Sequence, residues 1–190
     1  MSEKSYGNRR EISITSKEKG ITQEGEICAG ADDVFAYKFA GRERIMDIKM
    51  EKLSLESRRI MNERFNKDNV IALATIEAGV PCVRNVNAYY EEGAFYVITY
   101  ALSNKMKQIE QNPTVAIAGD WFTAHGKGIN LGYFGKTENK DIAEKLKKAF
   151  YTWIDNGHNN FEDENTCILC IQLTDGVLFS HGTRYDIDFT

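Results

Sequence analysis

The 190-residue chain has no excess of basic residues and no long apolar run, and both absences narrow its class. Its 24 Lys and Arg against 28 Asp and Glu give a formal net charge of −4, which argues against a nucleic-acid binder that works by neutralising phosphates. No stretch approaches the ~18 consecutive apolar residues that cross a bilayer, and the first residues are polar where a secretory signal is apolar. We therefore expect a cytoplasmic protein that binds neither nucleic acid nor membrane.

Cysteine and histidine are also scarce. The four cysteines, Cys28, Cys82, Cys167 and Cys170, are too few and too scattered for a secreted disulfide scaffold. Cys167 and Cys170 form a C-x-x-C pattern, but inside a predicted strand residues three apart point to opposite faces, so we interpret them as two half-buried thiols. The three histidines share no spacing, so no metal site is predicted.

The first fifty residues are interpreted as a separate extension. They contain no proline and only short apolar runs, such as residues 12–14 and 34–39, and the second run alternates as a short strand does. Near Leu53 the pattern changes to that of a globular domain. We therefore divide the chain into an extension of unknown role, residues 1–50, with one or two weak strands, and a single domain, residues 51–190.

The domain pattern predicts mainly strands, with helices at three points. Ser54 is expected to cap a first helix, a second is expected over residues 103–111 because the residue before Pro113 is pushed out of the α region, and apolar periodicity predicts a third over residues 137–156. Strands are predicted at 70–76, 81–90, 94–100, 114–121, 129–136, 166–174 and 176–180, with a last strand reaching Phe189. A tight Asp175-Gly176 turn is expected between 174 and 176. Short turns without a βαβ rhythm favour an antiparallel barrel of about six strands.

The most informative segment is residues 99–105, where a strand gives way to a helix. The free backbone N–H groups of the first helical turn and the positive end of the helix dipole are accompanied there by Ser103 and Lys105. Arg84, on the neighbouring strand in sequence, could reach the same place and hold a phosphate with two parallel hydrogen bonds. These residues suit a phosphate monoester; the alternative is an ordinary N-cap beside a solvated lysine and an exposed arginine.

The run FYVITYALSNK (residues 95–105), followed by Gln108-Ile109 and Asn112-Pro113, resembles the flavin-binding core of the pyridoxamine 5′-phosphate oxidase-like superfamily, the FMN-binding split barrels. The run RNVN (residues 84–87) is similar to that family's flavin-contacting strand. The resemblance covers roughly residues 53–189. It implies a mainly β (α+β) fold, a six-stranded antiparallel split β-barrel of Greek-key type with flanking helices, and a homodimer with FMN at the subunit interface.

The resemblance also assigns residues to the cofactor. It implies that Arg84, Ser103 and Lys105 hold the FMN phosphate, with Asn104 at the helix start. Main-chain contacts to the ring would follow the arginine at Asn85. The remaining residues, Val86, Asn87 and Thr99, would lie along the isoalloxazine and its polar edge.

The chain departs from the oxidase proper in ways that bear on its activity. Tyr89 stands where the oxidase has a lysine, Asn104 stands where an arginine is common, and the C-terminal Trp and Arg-x-His substrate elements are absent. We therefore expect an FMN-dependent oxidoreductase acting on a small molecule, with NAD(P)H as a candidate donor, from the general-stress or nitroimidazole-reductase-like branch. The alternatives are a flavin-binding stress-associated protein with little or no turnover and, less favoured, a haem-binding relative with His125 or His181 as ligand.

No catalytic acid or base is evident in the sequence. His125 is expected on a glycine-flanked loop and is interpreted as a plain loop residue rather than a group near the flavin. His181 and Arg184 are interpreted as parts of a surface tail, with a place in the groove of the partner subunit as the alternative.

Overall fold

The computed structural model describes residues 27–29, 35–39, 42–46, 51–157 and 159–190, with side chains from Leu53 onward. The chain divides into two compact units, Met1–Lys49 and Met50–Thr190. The first unit contains a three-stranded antiparallel sheet in the order β1 (Ile27–Ala29), β2 (Phe35–Phe39), β3 (Arg42–Met46). This is one strand more than expected, and the run at residues 12–14 lies outside the described residues.

The second unit contains a closed barrel. The strands of this unit are β4 (Glu51–Lys52), β5 (Asn69–Glu77), β6 (Val80–Glu91), β7 (Ala94–Tyr100), β8 (Thr114–Gly119), β9 (Phe122–Tyr133), β10 (Thr166–Ser180) and β11 (Thr183–Asp188). They follow the order β4-β11-β10-β7-β6-β5-β8-β9, and β9 also pairs with β10. Strands β5 to β10 therefore close an antiparallel six-stranded barrel with β11 as an extra strand, which confirms the predicted mainly β barrel.

Three helices flank the barrel. Helix α1 (Leu55–Phe65) begins where the Ser54 hydroxyl accepts a hydrogen bond from the Ser57 backbone N–H at 3.2 Å, as predicted. Helix α2 (Asn104–Gln111) ends before Pro113, also as predicted. Helix α3 (Lys140–Ala149) follows a 3₁₀ turn.

Helix α3 is shorter than the predicted span of residues 137–156. After Ala149 the chain continues as a series of turns, in which Trp153 and Ile154 both donate their backbone N–H to the carbonyl of Phe150. The apolar residues of these turns still pack against the same hydrophobic cluster as Leu146. The apolar periodicity correctly predicted which side chains of this segment are buried. It did not distinguish a helix from a series of turns that buries the same side chains.

Two loop predictions near glycines are wrong. Strand β10 runs unbroken through Asp175-Gly176, with only a register shift against β9 between Leu173 and Asp175. Gly176 is needed for close packing rather than for a turn, because a Cβ there would lie 2.9 Å from the ring of Phe122. Strand β9 likewise begins at Phe122, so His125 lies on a strand and not on a loop.

The glycines that suggested this loop have the same explanation. A Cβ at Gly126 would collide with the backbone oxygen of Gln172 on the paired strand, and a Cβ at Gly128 would lie 2.9 Å from Ile109 of α2. Both glycines therefore permit close approach inside a strand. In the sequence alone, these two glycines look like the glycines of a loop.

Two hydrophobic clusters stabilise the second unit. One fills the barrel and includes the fully buried Phe65 and Phe95, whose ring centroids are 5.5 Å apart. The other lies between α3 and the outer side of β7 and β10, around Leu146. Cys167 is 1% exposed and Cys170 is 8% exposed, so the expectation of half-buried thiols is wrong. In the described part of the chain, no helix is long and apolar enough to span a bilayer.

Candidate functional site

The barrel opens between β6 and β7. These neighbouring strands pair only near their connecting turn, at three positions: Tyr89 opposite Tyr96, Tyr90 opposite Phe95, and Glu91 opposite Ala94. Before Tyr89, β6 continues its pairing with β5 alone, and after Tyr96, β7 continues its pairing with β10 alone. The facing backbone edges therefore diverge into a split whose N–H and C=O groups are available to a planar polar ligand.

One end of the barrel is closed by polar side chains instead of apolar ones. Three inward-pointing strand residues and two residues of α2 lie together at this end. We call this group the polar layer: Thr75, Arg84, Thr99, Lys105 and Gln108. Its members come from β5, β6, β7 and α2, and so the layer lies at the base of the split.

Arg84 is held firmly but not completely satisfied. Its Nη1 donates to the Thr75 hydroxyl at 2.5 Å and to the Leu73 carbonyl at 3.3 Å, and its Nη2 donates to the Gln108 Oε1 at 2.9 Å. A guanidinium has five N–H donors in a fixed fork. These bonds use three of the five donors. The Nε donor and one Nη2 donor have no partner among the residues that the structure describes, and so they are available to a ligand.

Lys105 adds a second cation beside Arg84. Its Nζ donates to the Thr99 hydroxyl at 2.8 Å and lies 3.4 Å from the Ser103 hydroxyl. Burial lowers the pKa of the Lys105 ammonium, and the nearby Arg84 charge lowers it further. Cys167, which pairs with Thr99 across β10 and β7, raises this pKa. An anion placed here would offset the repulsion between the two cations and favour the charged form of Lys105.

The beginning of α2 contributes partial positive charge to the same place. Ser103 has an extended backbone and makes no side-chain capping bond. The first α-helical bond runs from the Lys107 N–H to the Ser103 carbonyl, so the N–H groups of Asn104 and Lys105 precede the helical ladder. These donors and the helix dipole favour an anion at this end.

Among the residues that the structure describes, no carboxylate neutralises these cations. Within the described ranges, neither Arg84 nor Lys105 forms a salt bridge, and the acidic side chain bonded to the polar layer, Glu77, accepts from Gln108 Nε2 at 3.0 Å. Two half-buried positive charges without a counter-ion are costly. The arrangement fits a dianionic phosphate monoester, the anion that FMN carries.

The structure brings together four of the eight predicted cofactor residues: Arg84, Thr99, Ser103 and Lys105. Asn104 lies at the helix start with an exposed side chain. Asn85 is exposed on the outer face of β6, and the side chain of Val86 is buried in the barrel core.

Asn87 is engaged elsewhere. Its Nδ2 donates to Asp68 Oδ1 at 2.9 Å, and the Trp153 indole Nε1 donates to Asp68 Oδ2 at 2.6 Å. This contact links β6 to the turns after α3, on the outer side of the barrel. The side chain therefore has a structural role there.

The two described histidines and Arg184 lie away from the polar layer. His125 Nδ1 is 2.6 Å from Asp175 Oδ1, on the part of the barrel formed by β9 and β10. His181 occupies the turn between β10 and β11 with a positive φ of 48°. Arg184 on β11 pairs with Asp186 at 2.6 Å.

Sequence reasoning assigned no role at the site to Thr75 or Gln108, although Gln108 belongs to the run that resembles the family. Thr75 is fully buried and Gln108 is 5% exposed, and the Thr75 hydroxyl donates to Gln108 Oε1 at 2.5 Å. A signal for both was present, since Thr75 interrupts an apolar strand and Gln108 stands between the buried Met106 and Ile109. Buried polar residues require partners, and here their shared partner is Arg84.

Comparison with known proteins places the chain among similar folds. General Stress Protein 26 from Bacillus anthracis str. Sterne superposes with a TM-score of 0.51 at 16% identity, over 64% of this chain and 92% of that chain. A putative pyridoxamine 5′-phosphate oxidase from Listeria innocua gives 0.50 at 12% identity, over 68% and 100%. A FAD-binding protein from Mesorhizobium loti gives 0.51 at 15% identity, over 66% and 94%. At these identities the likeness shows the fold.

Curated proteins offer no significant match to the sequence. The family model described as pyridoxamine 5′-phosphate oxidase matches residues 59–175. This range contains the whole polar layer and both strands of the split. The chain belongs to the pyridoxamine 5′-phosphate oxidase family.

Proposed function

We propose that the protein binds FMN in the split between β6 and β7 and acts as an FMN-dependent oxidoreductase on a small molecule in the cytoplasm. The observation that carries this proposal is the convergence of Arg84 and Lys105 at the base of the split, with no carboxylate partner for either in the described part of the chain. Family membership and the FAD-binding neighbour support flavin as the class of ligand.

Each group has a separate task in this proposal. Arg84 offers its Nε and one Nη2 donor to the phosphate, Lys105 supplies the second charge, and the N–H groups at the start of α2 complete the cradle. The open backbone edge of β6 beyond Arg84 provides donors and acceptors for the polar edge of the ring. When bound, FMN supplies the hydride and electron chemistry, and the protein supplies binding, orientation and access.

The charges at the base of the split favour FMN over FAD. Helix α2 covers this end of the barrel, with Gln108 and Ile109 buried against it. A terminal phosphate can end at such a base. FAD carries a diphosphate diester and has no terminal phosphate group, so it does not present the dianionic monoester that these groups suit.

We also propose a homodimer with the flavin at the subunit interface. The outer face of the barrel carries small side chains in register, with Ala72 opposite Ala118 and Ala74 opposite Ala116. The neighbouring Val83 on β6 is 66% exposed. An apolar surface of small side chains beside the strands of the split suits a second copy of the chain.

An absorption spectrum of the purified protein, before and after FMN is added, tests this function. Flavin bands that bleach when NADH or NADPH is added without oxygen would support a reductase. Bands that persist would favour the stress-associated, cofactor-carrying alternative. A Soret band would favour haem, although neither described histidine lies at the split. Failure to take up FMN would contradict the proposal.

A further inference from the structure

Gln108 is a buried amide that joins a cation to a carboxylate. Its Oε1 accepts from Arg84 Nη2 at 2.9 Å, and its Nε2 donates to Glu77 Oε2 at 3.0 Å. The same Oε1 accepts from the Thr75 hydroxyl. The amide therefore stands directly between the guanidinium of Arg84 and the carboxylate of Glu77.

This placement determines what the Arg84 charge can do. Glu77 is an exposed side chain at the end of β5, next to the turn that leads to β6. Without the amide, its carboxylate has a nearby arginine to pair with, and a charge-assisted bidentate pair is among the strongest side-chain contacts. Such a pair would occupy the donors that Arg84 otherwise offers to an anion and would cancel its charge.

We propose that Gln108 is a positioning residue that keeps Arg84 available to the FMN phosphate by separating it from Glu77. This inference rests on the proposed function. Gln108 itself does not touch the ligand: its oxygen fixes the guanidinium, and its N–H group occupies the competing carboxylate. The predicted signature is a loss of phosphate affinity that disappears when Glu77 is neutralised.

The experiment compares FMN with riboflavin, which lacks the phosphate, by titrating each into apoprotein and following flavin fluorescence. The variants are Gln108→Met, Glu77→Gln and the double variant, with Gln111→Met, an exposed glutamine of α2, as the matched control. For Gln108→Met we expect FMN affinity to fall about 10–50-fold and riboflavin affinity to stay within about 2-fold, the size of one charged hydrogen bond. The double variant should recover FMN affinity to within about 3-fold of wild type.

A second substitution guards against a general packing defect. Gln108→Glu keeps oxygen acceptors for Thr75 and Arg84 but places a carboxylate directly on the guanidinium, so its loss of FMN affinity should persist when Glu77→Gln is added. An unrescued Gln108→Met variant, or equal losses for FMN and riboflavin, would overturn the inference. A wild-type protein that does not prefer FMN to riboflavin would instead contradict the proposed function itself.

Discussion

Two polar clusters on β6 lie three residues apart and differ in how completely they are satisfied. At Asn87, the carboxylate of Asp68 accepts from both the asparagine amide and the Trp153 indole, so the cluster is closed. At Arg84, two guanidinium donors have no partner among the described residues, and a second cation, Lys105, lies nearby. The closed cluster links β6 to the turns after α3, whereas the open cluster has donors and charge that could bind a ligand.

The alternation of a strand explains why the two clusters are separate. Residues three apart on a strand face opposite sides. Arg84 therefore points to the end of the barrel covered by α2, while Asn87 points outward to the turns that follow α3. Substitutions in the two clusters should consequently have separable effects on binding and on stability.

The largest effect is expected from removing both cations of the open cluster. Arg84→Met with Lys105→Met should lower FMN affinity at least about 100-fold, because two charged contacts to the phosphate are lost, and should leave riboflavin affinity nearly unchanged. Fluorescence titration measures both. The control is Arg59→Met with Lys107→Met, two exposed residues of α1 and α2. An equal loss in the control, or tight FMN binding by the first variant, would show that the polar layer does not hold the phosphate.

Breaking the closed cluster should affect stability instead. Asp68→Ala leaves the Asn87 amide and the Trp153 indole without their acceptor, so the free energy of unfolding should fall by about 2–3 kcal/mol. Urea unfolding measures this change, with the exposed Asp155→Ala as control. FMN affinity of the folded variant should stay within about 3-fold of wild type. A selective loss of FMN binding without a loss of stability would mean that Asn87 and Asp68 belong to the cofactor site.

The pH dependence of binding sharpens the comparison. Burial and the Arg84 charge lower the pKa of Lys105 in the ligand-free protein. A neutral amine no longer attracts phosphate, so the ratio of FMN to riboflavin affinity should fall as the pH rises through this lowered pKa, by roughly 10-fold. FMN and riboflavin have the same ring, so any effect of ring ionisation on affinity cancels in this ratio.

Lys105→Arg provides the matched control for this pH dependence. Arginine keeps its charge throughout the accessible range, so the ratio of the two affinities should become nearly independent of pH. A wild-type ratio that stays constant up to the usual lysine pKa would contradict the role given to Lys105.

The smallest effect is expected at His125. Its contact with Asp175 is solvent-exposed, with side chains 68% and 40% accessible, and exposed pairs contribute about 0–1 kcal/mol. His125→Ala should therefore change the unfolding free energy by less than about 1 kcal/mol and FMN affinity by less than about 2-fold. A loss of reductase turnover with FMN still bound would instead identify His125 as a functional residue.

Local signals predicted much of the fold. The bounds of β7 and the Ser54 cap came from patterns that act over a few residues, and the structure confirms both. The Asp175-Gly176 turn was wrong because a glycine required for close packing looks the same in sequence as a glycine required for a turn. That distinction depends on Phe122, more than fifty residues away.

The candidate site shows the same limit. Ser103 and Lys105 were predicted because they belong to a strand-to-helix pattern, and Arg84 was predicted because the preceding strand could bring it to the same place. Thr75 and Gln108 were not, because their role exists only once β5, β6 and α2 meet at the barrel end. Asn87 was assigned to the ring by resemblance, and its contact with Asp68 depends on a tertiary arrangement that its neighbours in sequence do not reveal.

The most direct test of the central claim is the affinity of the wild-type 190-residue apoprotein for FMN and for riboflavin at neutral pH. If Arg84, Lys105 and the start of α2 hold the phosphate, FMN should bind at least about 100-fold more tightly than riboflavin. Equal affinities for the two flavins would contradict the account, because the uncompensated charges at the base of the split would then serve something other than a flavin phosphate.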